Sequence, residues 1–279
     1  MARHSEVAVS RRNYATTDAS IARRLADGRG GGEGPSFRPF LTIRDVPSLG
    51  RRSRIKGRVT GRVHHLMSDL ECRQFLEFDW RDDVVDIREQ HALDRDVTRR
   101  IAAGMGIRHP SQRGVDIVMT TDLVAHVEGP GGRTVDPVSV KYADDQKGRR
   151  VRDKLAIERR YWELQGWPLR VVSDEDLPKE RAETLAWLLA YHHVESMPWP
   201  SPGYWRRRGG ELVELLRRCP PEAHLYDVIA SAESGGGYDV GEVLSLIRFL
   251  ASAKIVGIDL NRRFDPRAHV SSISLGPTA

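Results

Sequence analysis

The sequence predicts an α/β protein, a mixed sheet flanked by helices, followed by a small C-terminal domain whose element order fits a winged helix. Three observations carry this reading. Two β-branched runs, 117–127 and 135–140, flank Gly129-Pro130-Gly131-Gly132, the pattern of a β-hairpin. Amphipathic stretches of helix length precede and follow that hairpin, and the apolar run Leu169-Arg-Val-Val172 reads as a further strand. Beyond residue 196 the order is helix, helix, helix, strand, which suits a winged helix and equally any small helical domain.

In chain order, residues 1–17 are polar and aperiodic, and 18–27 form a short helix with Ile21 and Leu25 on one face. Gly28, Gly30, Gly31, Gly32 and Gly34-Pro35 then read as a flexible connection; no P-loop Lys-Ser/Thr follows them. LTIRDV and RRSRIKGRV are short extended pieces, the second dense enough in cations to lie on a phosphate backbone. Ser68 is the expected N-cap of the next helix, with Glu71 at the capping-box position and Leu70, Phe75 and Leu76 at helical spacing. His64 and His65 are adjacent, so on an extended chain they face opposite ways and make a poor metal pair. A strand is expected around Val84, Val85 and Ile87 beside the hairpin, then a short basic helix over 94–104. After the hairpin come a long helix over 151–165, ended by Gly166 and Pro168, the strand at 169–172, and a helix carrying Leu185, Trp187, Leu188 and Leu189. Residues 196–210, rich in Pro, Gly and Trp, read as a linker. Helices are expected over 211–219, 222–232 and 240–253, with a strand over 254–260.

With 279 residues, 39% of them hydrophobic, the chain can bury the cores of two modest domains. Its two cysteines, Cys72 and Cys219, are too few and too far apart for a disulfide framework or a zinc site, and a reducing compartment fits. No run approaches the roughly 18 apolar residues of a membrane span, and the N-terminus lacks a secretory pattern; a cytoplasmic protein is expected. The net charge of +5 is carried mostly by arginine, which favours nucleic acid as partner, although 39 acidic residues interspersed with 44 basic ones also describe an ordinary surface.

The chemistry concentrates in the hairpin. Asp122 lies in its first strand and Lys141 closes the second, two residues after Ser139, so pairing can bring carboxylate and ammonium to one end. A hard cation wants one or two carboxylates, a carbonyl and waters, and a nearby lysine can orient the attacking water in phosphodiester cleavage. An exposed Asp–Lys ion pair would leave the same signature. Glu71 reads equally as helix cap or metal ligand. Glu158, in the middle of the long helix, can pair with Lys154 or Arg159, or face the strand end.

Four stretches, GRVHHLMSDLE, VVDIREQ, RHPSQRGVDIVMTTD and KLAIERRYW, resemble in order and spacing the corresponding stretches of TnsA, the endonuclease subunit of heteromeric transposases. The likeness runs over nearly the whole chain. It implies a restriction-endonuclease-like catalytic domain over 1–195 and a winged-helix-like domain over 196–279. It further implies that Glu71 and Asp122 are active-site carboxylates, that Lys141 is the catalytic lysine and that Glu158 is the acid on the next helix. Mg²⁺, or alternatively Mn²⁺, would then rest on Asp122, Glu71 and the carbonyl of Val140. Ser139 departs from the family pattern, which has glutamine or, in many restriction enzymes, glutamate there; a serine brings no charge, which bears on a second metal. The family cuts the 5′ ends of the element in double-stranded DNA, beside an integrase-type subunit, TnsB, and an ATP-using regulator, TnsC. The implied setting is the bacterial cytoplasm, at the nucleoid. A free-standing restriction-type or junction-resolving nuclease and a non-cutting adaptor are the competing readings.

Overall fold

Why residues 120–140 organise the molecule is visible in their pairing. The β-branched runs fold back at the Gly/Pro turn, and a computed structural model, describing residues 16–45, 51–194, 200–201 and 203–276, places the elements before Val194 around them. In order these are α1 (Asp18–Ala26), β1 (Ser53–Lys56), β2 (Val63–Leu66), α2 (Asp69–Trp80), β3 (Val84–Ala92), α3 (Arg95–Gly104), β4 (Ser111–Gln112), β5 (Val115–Asp116), β6 (Thr120–Gly129), β7 (Gly132–Val140), α4 (Arg149–Leu164), β8 (Arg170–Val172) and α5 (Lys179–His192). The central sheet has the order β3-β6-β7-β8, antiparallel except for the parallel β7–β8 pair. It is the mixed sheet flanked by helices that the alternation of strands and helices implies.

One face of the sheet packs Ile87, Leu123, Ala125, Val138 and Val140 against Leu70, Phe75 and Phe78 of α2 and Leu185 of α5. The other packs Leu93, Met119 and Val124 against Ile157 and Trp162 of α4. Each fully buried side chain of this size contributes about 1.5–3 kcal/mol on leaving water. The sheet is therefore clamped between helices, and its strand ends near residues 90, 122 and 140 become fixed points for polar groups.

Several expectations are corrected. The glycine run is not a loose connection: Gly30 N donates to Arg38 O (2.6 Å), Arg38 N donates to Gly31 O (3.0 Å), and a side chain on Gly30 would meet Ala92. Positive φ at Gly28, Gly30, Gly32 and Gly34 is what lets the chain reverse so tightly against β3. Leu25 does not share the buried face of Ile21; it is 54% exposed. The basic ribbon is a β1–β2 hairpin whose arginines are partly spent on the fold, since Arg62 forms a forked ion pair with buried Glu89 and Arg58 caps the carbonyls of Asp79, Trp80 and Arg81. Arg113 and Gly114, both at positive φ, turn a small β4–β5 hairpin just ahead of the run expected as the first strand.

C-terminal to α5, the linker reading fails from Tyr204 onward: α6 spans Tyr204–Arg218, so the arginine run lies in its first turns, with Leu212, Val213 and Leu216 inward. Residues 195–199, where the domain boundary was expected, lie outside the described residues. Next come α7 (Leu225–Ser234) and α8 (Glu242–Ser252), each starting later than expected; at α8 an exposed Val240 precedes the left-handed Gly241. β9 (Val256–Gly257) and β10 (Ser274–Leu275) close the chain as a two-stranded antiparallel pair. These elements bury a second core around Leu212, Leu225, Leu246, Ile247 and Leu250, to which α5 contributes Leu188. So α5 belongs to both cores.

Candidate active site

The β6–β7 ladder runs from Gly129 opposite Gly132 to Leu123 opposite Val138 and stops there. Beyond it the Asp122 carboxylate replaces the backbone partner. Its Oδ2 accepts from Val140 N (2.8 Å), Ser139 Oγ (3.2 Å) and Lys141 Nζ (2.6 Å). On its other side Lys141 N still donates to Val172 O, so the strand end is held from both edges. The Lys141 ammonium also donates to Val140 O (2.7 Å) and Ser139 Oγ (3.1 Å), which satisfies all three of its N–H groups. Burial opposes its charge, but Asp122 first, then Glu158 and Glu71, hold its pKa above the ordinary lysine value. This is a partly buried cluster, not an exposed ion pair.

Glu71 lies in the Ser68-capped first turn of α2 and closes no capping box, since its carboxylate bonds Met67 N and Ser68 Oγ rather than Ser68 N. Its N–H donates to Ser68 Oγ as an N-capped first turn requires (3.1 Å), while its carboxylate accepts from Met67 N (2.9 Å), Ser68 Oγ (3.3 Å) and Gln90 Nε2 (3.3 Å). It is nevertheless turned inward, and burial first, then the charge of Asp122, pushes its pKa well up. Glu158 is likewise buried and pairs with neither Arg159 nor Lys154. Burial and then Asp122 push it up to about 7, partly offset by Lys141 and the hydroxyls of Thr121 and Ser139, and its Oε1 has no hydrogen-bond partner. Five expected residues, Glu71, Asp122, Ser139, Lys141 and Glu158, thus meet at one end of the hairpin. His64 and His65 do not join them: His64 bonds Glu89 and Thr60 in the fold.

Whether these donors suit a divalent cation can be judged from the ammonium itself. Lys141 Nζ sits against Asp122 Oδ2 and Val140 O, two of the oxygens expected to hold the metal, so both already face a common positive charge. The donors are all oxygen, as a hard cation prefers. Among the described residues no group of three or more His, Cys, Asp and Glu is placed to hold a metal, so any cation here would lean on two carboxylates, a carbonyl and water.

Residues 81–174 match the family described as TnsA-like endonuclease N terminal. The Tn7 transposition protein TnsA of Escherichia coli is 35% identical over 266 residues, covering 92% of this chain and 91% of that protein. The chain belongs to the TnsA family of transposition endonucleases. Within it, the matched span holds Asp122, Ser139, Lys141 and Glu158, while Glu71 lies upstream and reaches the site only through the packing of α2 on the sheet. No helix among the described residues is long and apolar enough to cross a membrane.

The sequence reading missed three neighbours of this TnsA-family site. Trp162 Nε1 donates to Thr121 Oγ1 (2.8 Å) and pins α4 to β6 one residue from Asp122. Lys154, one turn before Glu158, feels the charges of Lys141 and Asp122. Gln90, in β3, touches Glu71 and has φ +47°, which costs a non-glycine residue on the order of 1–2 kcal/mol. No propensity or spacing signals such a backbone, because it is imposed by the strands on either side.

Proposed function

We propose that this chain is the Mg²⁺-dependent subunit that hydrolyses phosphodiesters at the 5′ ends of a transposon. Its substrate is double-stranded end DNA, and it works with an integrase-type TnsB subunit and an ATP-using TnsC regulator in the bacterial cytoplasm, at the nucleoid. The observation that carries this is the cluster in which Lys141 Nζ bridges Asp122 Oδ2 and Val140 O beside two buried carboxyls.

Asp122, Glu71 and the Val140 carbonyl would hold the cation, and Mn²⁺ has the same donor preference. When bound, it supplies neutralisation of the charge on the scissile phosphate. Asp122 is oriented for this by Val140 N and Ser139 Oγ, which leave its other oxygen, Oδ1, to face ligand. Lys141, released from Val140 O, donates its N–H groups to a phosphate oxygen or to the attacking water, where a fixed cation stabilises developing charge. Asp122 first, with Glu158 and Glu71 behind it, keeps that lysine protonated. Ser139 supplies a hydroxyl between Asp122 and Lys141 but no charge, which favours one tightly held cation over two.

The C-terminal three helices and the β9–β10 pair support the winged-helix-like reading of 196–279, and the two cores support the division from 1–195. The reading is tested by incubating the purified chain with end-bearing DNA, Mg²⁺ and its partner proteins. Nicks at the 5′ ends that vanish on Asp122→Ala support it; nicks that persist in that variant overturn it.

A further inference from the structure

Regular strands keep residues i, i+2 and i+4 on one face. In β3, Ile87 and Glu89 lie on the α2 side, Ile87 in the core with Leu70 and Phe75 and Glu89 bonded to His64, whose ring lies 4.5 Å from that of Phe75. His91 should follow them. Instead its ring stands 5.6 Å from that of Trp162, on the α4 side, with Leu93. The partner strand does the same: Leu123 and Ala125 are on the α2 side, whereas Thr121 accepts from Trp162 and Met119 packs with it.

The ribbon thus exchanges faces between the pairs Glu89–Leu123 and His91–Thr121 with no slip of register. A bulge would have shifted the register; here the whole change is absorbed at the level of Gln90 and Asp122, which form no ladder pair. Gln90 is one of three non-glycine residues at positive φ among those described. The other two, Arg113 and Lys254, lie in a hairpin turn and just past a helix end, where such φ is ordinary.

The side chain that this backbone redirects is buried, and both ends of its amide are used. Nε2 donates to Glu71 Oε2 (3.3 Å), and Oε1 accepts from Thr120 Oγ1 (3.0 Å), which fixes the amide's orientation. Its own carbonyl accepts from Phe40 N (3.3 Å). Without the left-handed turn, Gln90 would point away from α2 on a regularly pleated strand, and Glu71 Oε2 would keep only the Met67 N–H.

We propose that Gln90 is a positioning residue for the divalent cation: the face exchange of β3 and β6 aims its amide at Glu71, which it orients to share the cation with Asp122. This rests on the reading of Glu71 and Asp122 as the cation's carboxylates.

The test uses the full chain and the variants Gln90→Ala, Gln90→Gly, Glu71→Ala, Asp122→Ala and the double variant Gln90→Ala/Glu71→Ala. Mg²⁺ binding is read by calorimetry and melting temperature in chelator. Partners to an inner carboxylate typically cost about 10–100-fold in metal affinity when removed. Gln90→Ala is therefore expected to weaken Mg²⁺ binding about 10-fold or more, to raise the Mg²⁺ needed for half-maximal cleavage by a similar factor, and to leave the rate at saturating Mg²⁺ nearly unchanged. In the Glu71→Ala background it should add no further loss. Gln90→Gly should melt higher than Gln90→Ala, because only glycine adopts this φ freely.

Unchanged Mg²⁺ affinity in Gln90→Ala, or a full additional loss on top of Glu71→Ala, would overturn the proposal while leaving the site reading intact. Unchanged Mg²⁺ binding in Asp122→Ala would overturn the site reading itself.

Discussion

Lys141 Nζ lies 2.6 Å from Asp122 Oδ2, and the same carboxylate oxygen receives the backbone N–H of Val140. One carboxylate oxygen thereby both ends the hairpin ladder and anchors the Lys141 ammonium. This double duty makes the pair sensitive to substitution in two different ways, and the two can be measured separately.

Asp122→Ala and Lys141→Ala are expected to lower end cleavage by about 10²–10³-fold or more, the scale of removing a preorganised charge from a reacting centre. The fold should persist, because Leu123 and Val138 still pair and neither side chain fills the core. Circular dichroism and a cleavage assay in parallel check this. Normal cutting by either variant would remove that residue from the site.

Ser139→Glu places a fourth carboxyl among Asp122, Glu71 and Glu158 at a buried position. Metal dependence should shift, either by favouring a second cation or by moving preference toward Mn²⁺, with a lower melting temperature in chelator from like-charge repulsion. Identical Mg²⁺ and Mn²⁺ titration curves for wild type and variant would contradict it.

Glu158 supplies a pH prediction whose sign is fixed by burial. Its folded-state pKa, about 7, is above the ordinary 4.5, so the unfolded chain loses this proton before the folded chain does. Its contribution is therefore most favourable below pH 4.5 and is lost as pH rises through 7, on the order of 3 kcal/mol at most. Glu158→Gln should melt higher than wild type at pH 8 in chelator, and the gap should narrow toward pH 5. A gap independent of pH would show that Glu158 does not titrate in this range.

DNA binding by the chain alone is expected to be weak and salt-sensitive. Arg58 and Arg62 of the basic ribbon are engaged within the protein, which leaves fewer cations to meet phosphates. Affinities on the order of 10⁻⁴–10⁻⁶ M at physiological salt, falling steeply as salt rises, are the scale of such contacts. A salt titration by fluorescence anisotropy checks this; tight, sequence-specific binding to transposon ends without partners would refute it.

Much of the catalytic domain was legible because its signals are local. β-branched runs around a Gly/Pro turn define β6 and β7, Ser68 three residues before Glu71 defines the start of α2, and Gly166 with Pro168 ends α4. The misreadings fall where non-local contacts decide. Glycines at 28–34 look like linker until Arg38 and Ala92 pack on them, and Tyr204–Gly210 looks like linker until Leu212, Val213 and Leu216 give the helix a core to face.

The sequence by itself determined the strands, the helix caps, the chemical types at the hairpin end and, through four motif stretches, the family. Only the tertiary structure decided that Glu71, in the Ser68-capped first turn of α2, faces Asp122, and that Glu158 is buried instead of solvated. It alone revealed that Gln90 takes a strained backbone between them. Caps and periodicity are written within a few residues of each other, whereas the direction in which a buried carboxyl points is set by elements that meet only when the sheet and its helices close on one core.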